Sequence, residues 1–293
     1  MGVQVGVRRL LGSLAATVAL TATAACTGGG TTVKAGDGST STTAVAGGGG
    51  GSALVLQIRT GGGFVAVESM FGAIPEFSLY GDGRVIVTGP TTQEFPGRAL
   101  PNLLVTTVSP TAVHDAVAAA RAAGVEASPD LGQPPVADAP TTRFTLADGG
   151  RTNSLDAYAL GFDAGPALTA AQRDARTRLG DLRDAMSRLG LAADTPYQAG
   201  TVSVLVRPYA TPEPGVLAPD PAPKEARWPL ADLATGGREQ FGGRCLGFSG
   251  ADAATVLAAA ADARSNTRWL SGTAGWALSL RPELPGVAAC SDR

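Results

Sequence analysis

The chain has 293 residues, of which 44% are apolar and only 5% aromatic, so a sizeable core must be built mostly from Val, Leu and Ala. Twenty-three basic and 25 acidic side chains leave a net charge of −2, with lysine only at positions 34 and 224. Such a mildly acidic chain lacks the basic footprint that nucleic acid requires, which excludes that partner.

The first apolar run is the most informative segment. Arg8 and Arg9 precede the sixteen residues Leu10 to Ala25, which Ser13, Thr17, Thr21 and Thr23 dilute, and Thr23-Ala24-Ala25 leads into Cys26. Positive, apolar and small residues in that order predict a secretory signal over residues 1–25. The run is shorter than the roughly 20 residues a membrane span needs. Paired arginines before Leu10-Leu11 also fit twin-arginine export, so the route stays open. Cleavage before Cys26 would remove both arginines and no acid, taking the charge from −2 to −4.

A cysteine at this point resembles the lipobox of bacterial lipoproteins, although Thr23 stands where Leu or Val is usual. The resemblance implies a diacylglyceryl group on Cys26 as the lipid attachment. It also implies a place on the extracellular face of the cell membrane. Residues 27–52 are Gly, Ser and Thr with scattered Ala and Val, ending in Gly47 to Gly51. They are expected to be a disordered tether spanning roughly 30 Å. The tether makes residues 26–52 one unit, followed by an α+β domain over 53–200 and a second α+β segment over 201–293.

Order begins at Leu54. Leu54 to Ile58 reads as a strand, and Phe64 to Val67 as its resumption after Gly61-Gly62-Gly63. Glu76 to Tyr80 and Val85 to Val87 flank Asp82-Gly83, a dipeptide that suits a type I′ hairpin turn. A second hairpin is expected from Phe144 to Leu146 and Ser154 to Tyr158, around Asp148-Gly149-Gly150. Between them lie a strand, Leu103 to Val108, and an Ala-rich helix. Ser109 is its N-cap, Pro110 its first residue and Gly124 its stop.

The longest helix runs from about Thr169 to Leu189, opened by the capping box Thr169-Ala170-Ala171-Gln172. Ala175, Leu179, Leu182, Met186 and Leu189 form one apolar stripe, expected to pack on sheet. Asp174–Arg178 and Asp184–Arg188 are possible i,i+4 pairs on its wet side. Seven prolines between 208 and 229 read as an extended connection. A strand near Arg244 to Phe248, a second Ala-rich helix from Ala251 to Ala263 and strands near Arg268 to Leu270 and Trp276 to Arg281 complete the chain. The fold class expected is α+β: antiparallel hairpins packed with two Ala-rich helices and the longer amphipathic one. Aligning Ser109 on Ser249 superimposes two strand–helix segments, which raises two similar halves as an option.

Chemistry is harder to find. With Cys26 on lipid, Cys245 and Cys290 remain, and in an exported chain they permit one disulfide. A single histidine, His114, and two distant thiols make no metal site, and no cofactor motif is present. Gly247-Phe248-Ser249-Gly250-Ala251 sits between strand and helix, as a nucleophile elbow does, but lacks the final Gly. No His follows Ser249, so an N-cap is the preferred role for it. His114 is placed at a solvated helix edge. Glu68, Glu76 and Asp156 are read as surface carboxylates, and Trp228, Trp269 and Trp276 as packing near the Cys245–Cys290 bridge.

Several runs resemble uncharacterised secreted lipoproteins of actinobacteria: Pro75 to Ile86 (PEFSLYGDGRVI), Phe95-Pro96-Gly97, Asp138 to Thr142, Tyr158 to Gly161, Trp228-Pro229-Leu230 and Arg281-Pro282 on to Cys290. The resemblance implies export and lipidation and supplies no catalytic residue. The expected function is a lipid-anchored, non-catalytic binding or envelope-modulating module. Its partners are the membrane, through the anchor, and an unknown protein or small molecule. A cell-surface hydrolase with Ser249 as nucleophile and a solute-binding lipoprotein are the alternatives.

Overall fold

The computed structural model describes residues 53–162, 165–210 and 222–291. The expected signal peptide, Cys26 and the tether lie outside them. The described residues form an α+β fold of two sheets. The first contains β1 (Leu54–Gly61), β2 (Phe77–Tyr80), β3 (Arg84–Thr88), β4 (Leu103–Thr107), β5 (Thr141–Asp148), β6 (Arg151–Tyr158) and β7 (Thr195–Pro196). Their order is β6-β5-β1-β2-β3-β4-β7, antiparallel throughout. Helices α1 (Val67–Gly72), α2 (Pro110–Ala122) and α3 (Ala170–Gly190) belong to the same stretch of chain.

Period-two alternation decides which face each strand buries. Leu56, Ile58, Phe77, Leu79, Val85, Phe144 and Leu146 point to one side, where α2 and α3 close over them. The α3 stripe delivers Ala175, Leu179, Leu182 and Met186 to this core, with Leu189 partly buried. Its capping box forms on both sides, Thr169 Oγ1 accepting from the Gln172 amide at 3.2 Å and Gln172 Oε1 from the Thr169 amide at 2.8 Å. Asp174, Arg178, Asp184 and Arg188 stay exposed, and neither expected pair closes into an ion pair. On α2, Ser109 Oγ accepts from the Ala112 amide at 3.2 Å, and Gly124 (φ 95°) ends the helix as expected.

The second sheet contains β8 (Thr201–Pro208), β9 (Glu225–Arg227), β10 (Arg238–Gln240), β11 (Gly243–Ser249), β12 (Arg268–Ser271) and β13 (Ala274–Pro282). The order is β10-β11-β8-β13-β12-β9, with only β9–β12 parallel. Helix α4 (Gly250–Ala260) lays Ala253, Val256 and Ala260 over Val202, Val204, Val206, Leu278 and Leu280. Trp228 and Trp269 fill the same layer, their rings 6.0 Å apart and edge to face. The other face of this sheet carries Leu205 and Cys245, covered by Phe71 of α1.

Behind β13 the chain crosses to the free face of the first sheet. Leu284 packs there with Tyr80, Ile86 and Leu103. Cys245 and Cys290 are joined, Cα to Cα 5.8 Å, which ties this last segment to β11. A buried polar knot fixes the same joint. Arg281 donates to Glu283 (2.9 Å), the Phe71 carbonyl (3.0 Å) and the Ser291 carbonyl (3.3 Å). Ser203 donates to Glu283 at 2.5 Å and accepts from the Cys290 amide at 2.8 Å.

Several local expectations change. Phe64 to Val67 does not resume a strand: Gly62 and Gly63 have positive φ, and the chain turns through an exposed loop into α1 so that Phe71 reaches Arg281. The first hairpin has a three-residue loop, since Tyr80 accepts from the Gly83 amide and only Gly83 (φ 85°) has positive φ. The two-glycine turn appears at Gly149 and Gly150 instead, with Asp148 opposite Arg151. β8, at the centre of the second sheet, was not anticipated. Residues 225–227 of the proline-rich connection pair with β12, while 211–221 lie outside the described residues. Strand, helix and hairpin recur as β4-α2-β5-β6 and β11-α4-β12-β13. The neighbours differ, for β11 adjoins β8 whereas β2 and β3 separate β4 from β1.

Candidate functional site

The alternation that sends Leu56 and Ile58 into the core sends Gln57 and Arg59 to the opposite face of β1. Antiparallel register then sets Arg59 against Arg143 of β5, and Arg143 against Asp156 of β6. One row beyond, Gln57, Thr145 and Ser154 line up in the same way. These side chains floor a groove of about 570 Å³, whose far wall is Gly286, Val287, Ala288 and Ser291. That size suits a small molecule.

Two guanidiniums around the groove are matched. Arg143 grips Asp156 with two bonds of 2.7 Å, and the pairing raises the pKa of the arginine and lowers that of the aspartate. Arg281, behind the wall, is held by Glu283. Arg59 is different. Its guanidinium makes no hydrogen bond or ion pair among the described residues. Burial pulls its pKa below the usual arginine range, and the charges of Arg281 and Arg143 push the same way. Like charges directly opposite each other destabilise a sheet pair. Among the described residues, three guanidiniums against two carboxylates leave one positive charge unmatched, and it faces the groove.

Hydroxyl groups complete the lining. Thr145 and Ser154 share one hydrogen bond of 3.2 Å, so one of the two hydrogens stays free. Ser291 Oγ is buried at the wall without a partner. The disulfide and the Arg281 knot hold that wall in place.

A second cleft, about 720 Å³, opens between the end of α3 and the first sheet. Phe77, Val87 and Leu104 line it, and at one end Arg183 holds Glu76 with bonds of 2.9 and 2.7 Å. Its arginine is taken by Glu76, and the charge left over is the exposed carboxylate of Asp184, so it lacks the unpaired cation that marks the first groove.

The residues singled out in the sequence scatter. Ser249 stands at the N-cap position of α4, but its exposed side chain accepts no helix amide, contrary to expectation. The Gly250 amide bonds the Gly200 carbonyl, and Gly250 (φ 57°) bends the chain before the helix proper. His114 is exposed on α2, and no hydrogen bond links it to Ser249. Glu68, Glu76 and Asp156 are partners of Arg207, Arg183 and Arg143 respectively, and no two of these carboxylates are joined. The tryptophans pack beneath α4, on the face of the second sheet opposite the Cys245–Cys290 bridge. Trp228 touches Phe248 and Trp269, and Trp276 lies under the Arg244 guanidinium at 5.8 Å.

Sequence reasoning missed Arg59. The alternation Leu56-Gln57-Ile58-Arg59 was a readable sign that these two polar residues share the uncovered face. Their neighbours across the sheet, 80-odd positions away in β5, left no local sign.

Among the described residues, no three His, Cys, Asp or Glu side chains converge on a metal position. No helix among them is long and apolar enough to cross a membrane. The chain matches no protein-family model, and no curated protein or solved structure matches it.

Proposed function

We propose that the protein is a lipoprotein held through Cys26 on the extracellular face of the cell membrane, and that its body is a non-catalytic binding module. The groove between the first sheet and the disulfide-tied segment is its ligand site. The observation that carries this reading is Arg59, a cation kept in an unfavourable place with no partner of its own among the described residues. Groups held against their own stability mark functional sites. The layout Arg8-Arg9, apolar run, Cys26 and Gly-rich tether supports the anchor. No specific observation favours the hydrolase reading, because Ser249 is exposed and no base among the described residues hydrogen-bonds it.

The two parts are tested separately. On cell fractionation, the wild-type chain should sediment with membranes and Cys26→Ala should not. Wild-type protein found only in the soluble fraction sinks the anchor. The full-length Cys26→Ala chain, melted against a panel of small polar molecules, should be stabilised by at least one of them. Ligand at tenfold over Kd contributes about 1.4 kcal/mol, a shift of a few degrees. A panel with no shift counts against the binding module.

A further inference from the structure

We infer that the ligand carries one carboxylate, which Arg59 clamps, on a small hydroxyl-rich body such as that of a sugar acid. The inference rests on the groove being the ligand site. Its charge follows from the surroundings of Arg59. Arg143 is spent on Asp156, and Arg281 on Glu283, so among the described residues a single positive charge is left over. A monoanion cancels it. A phosphate monoester brings close to two negative charges at neutral pH, and the second would face Asp156 across the sheet. A guanidinium presents parallel N–H donors that match the two coplanar oxygens of a carboxylate.

The body of the ligand follows from the rest of the lining. Gln57, Thr145 and Ser154 are uncharged hydrogen-bonding groups, Leu54, Val287 and Ala288 add aliphatic surface like the C–H faces of a sugar ring, and among the described residues no aromatic ring lines the groove. Hydroxyl-bearing ligands suit this surface, and flat aromatic acids do not.

The cross-strand repulsion gives the proposal a two-way signature. Arg59→Gln relieves the charge opposite Arg143, so the free protein should melt about 1–3 °C higher. The same change should weaken carboxylate binding at least tenfold. Arg59→Lys keeps the charge without the fork and should bind in between.

The experiment follows melting and NMR titration of the full-length Cys26→Ala chain and of each Arg59 variant built on it. The probes are a hexuronate, its neutral parent hexose and inorganic phosphate. The expected result is that hexuronate binds at least tenfold tighter than hexose or phosphate, and that Arg59→Gln abolishes this preference. Equal binding of hexose and hexuronate, unchanged in Arg59→Gln, overturns the carboxylate and leaves the binding module standing. Tighter binding of phosphate overturns the single-charge argument. No response to hexuronate overturns the inference, while the wider panel judges the binding module independently. A lower melting point for Arg59→Gln would assign Arg59 a structural role and also overturn it.

Discussion

Arg59 and Arg281 are the same side chain put to opposite uses. Arg281 is 2% exposed, yet all three of its donor nitrogens find oxygen and its guanidinium lies 4.7 Å above the Phe71 ring. Glu283, 1% exposed, closes the pair and also accepts from Ser203. A buried ion pair is costly to assemble, but breaking it from one side leaves an uncompensated charge. Glu283→Gln keeps the shape and removes the charge. It should therefore lower unfolding free energy by about 3–5 kcal/mol, read from the urea midpoint. A loss under 1 kcal/mol would mean that water or another carboxylate reaches Arg281. Neither role was legible from the residues alone. Arg281 and Glu283 sit two apart at the end of an apolar strand, and the partners that distinguish them from surface charges lie on α1 and β8.

At the scale of elements, legibility follows how local the cause is. The α3 capping box, the Ser109 cap, the Gly124 stop and the Gly149-Gly150 turn were all readable, because each is settled within a few residues. β8 was not. Val202 to Val206 are buried on both faces, as in a strand with neighbours on each side, so the period-two alternation that marks a half-exposed strand is missing. The first hairpin was half legible: Asp82-Gly83 marked a turn, but its type was set by a distant contact. Gly83 must hold a positive φ, and a Cβ there would sit 2.5 Å from the Val108 carbonyl oxygen. At Gly149 (φ 57°) a Cβ would meet nothing within 4 Å. Gly149→Ala should thus cost about 1 kcal/mol for the left-handed backbone alone, and Gly83→Ala about 2 kcal/mol or more. Equal losses in thermal melts would show that β4 shifts freely and that the close approach constrains nothing.

The whole molecule depends on one return of the chain. After β13 the last described residues leave the second sheet, cover part of the first and provide one wall of the groove, and the Cys245–Cys290 bond is their covalent tie, beside the hydrogen bonds of the Arg281 knot. The possibility of that bond was plain from two cysteines in an exported chain. Its consequence for the groove was not, because the sequence does not tell which sheet the closing segment crosses. In the chain-entropy description, a loop of 45 residues makes the bond worth about 4 kcal/mol, and measured values more often fall between about 2 and 4. Cys245→Ala with Cys290→Ala should lower the urea midpoint accordingly. If the segment also acts as a wall, the double variant should respond less to hexuronate well below its melting temperature, while far-UV circular dichroism stays native. Arg59 would remain on β1, but the far wall would be held only by the hydrogen bonds from Arg281 to Ser291 and from the residue-290 amide to Ser203. Native-like hexuronate affinity in that folded variant would restrict the bond to stability and leave the sheet floor alone as the binding surface.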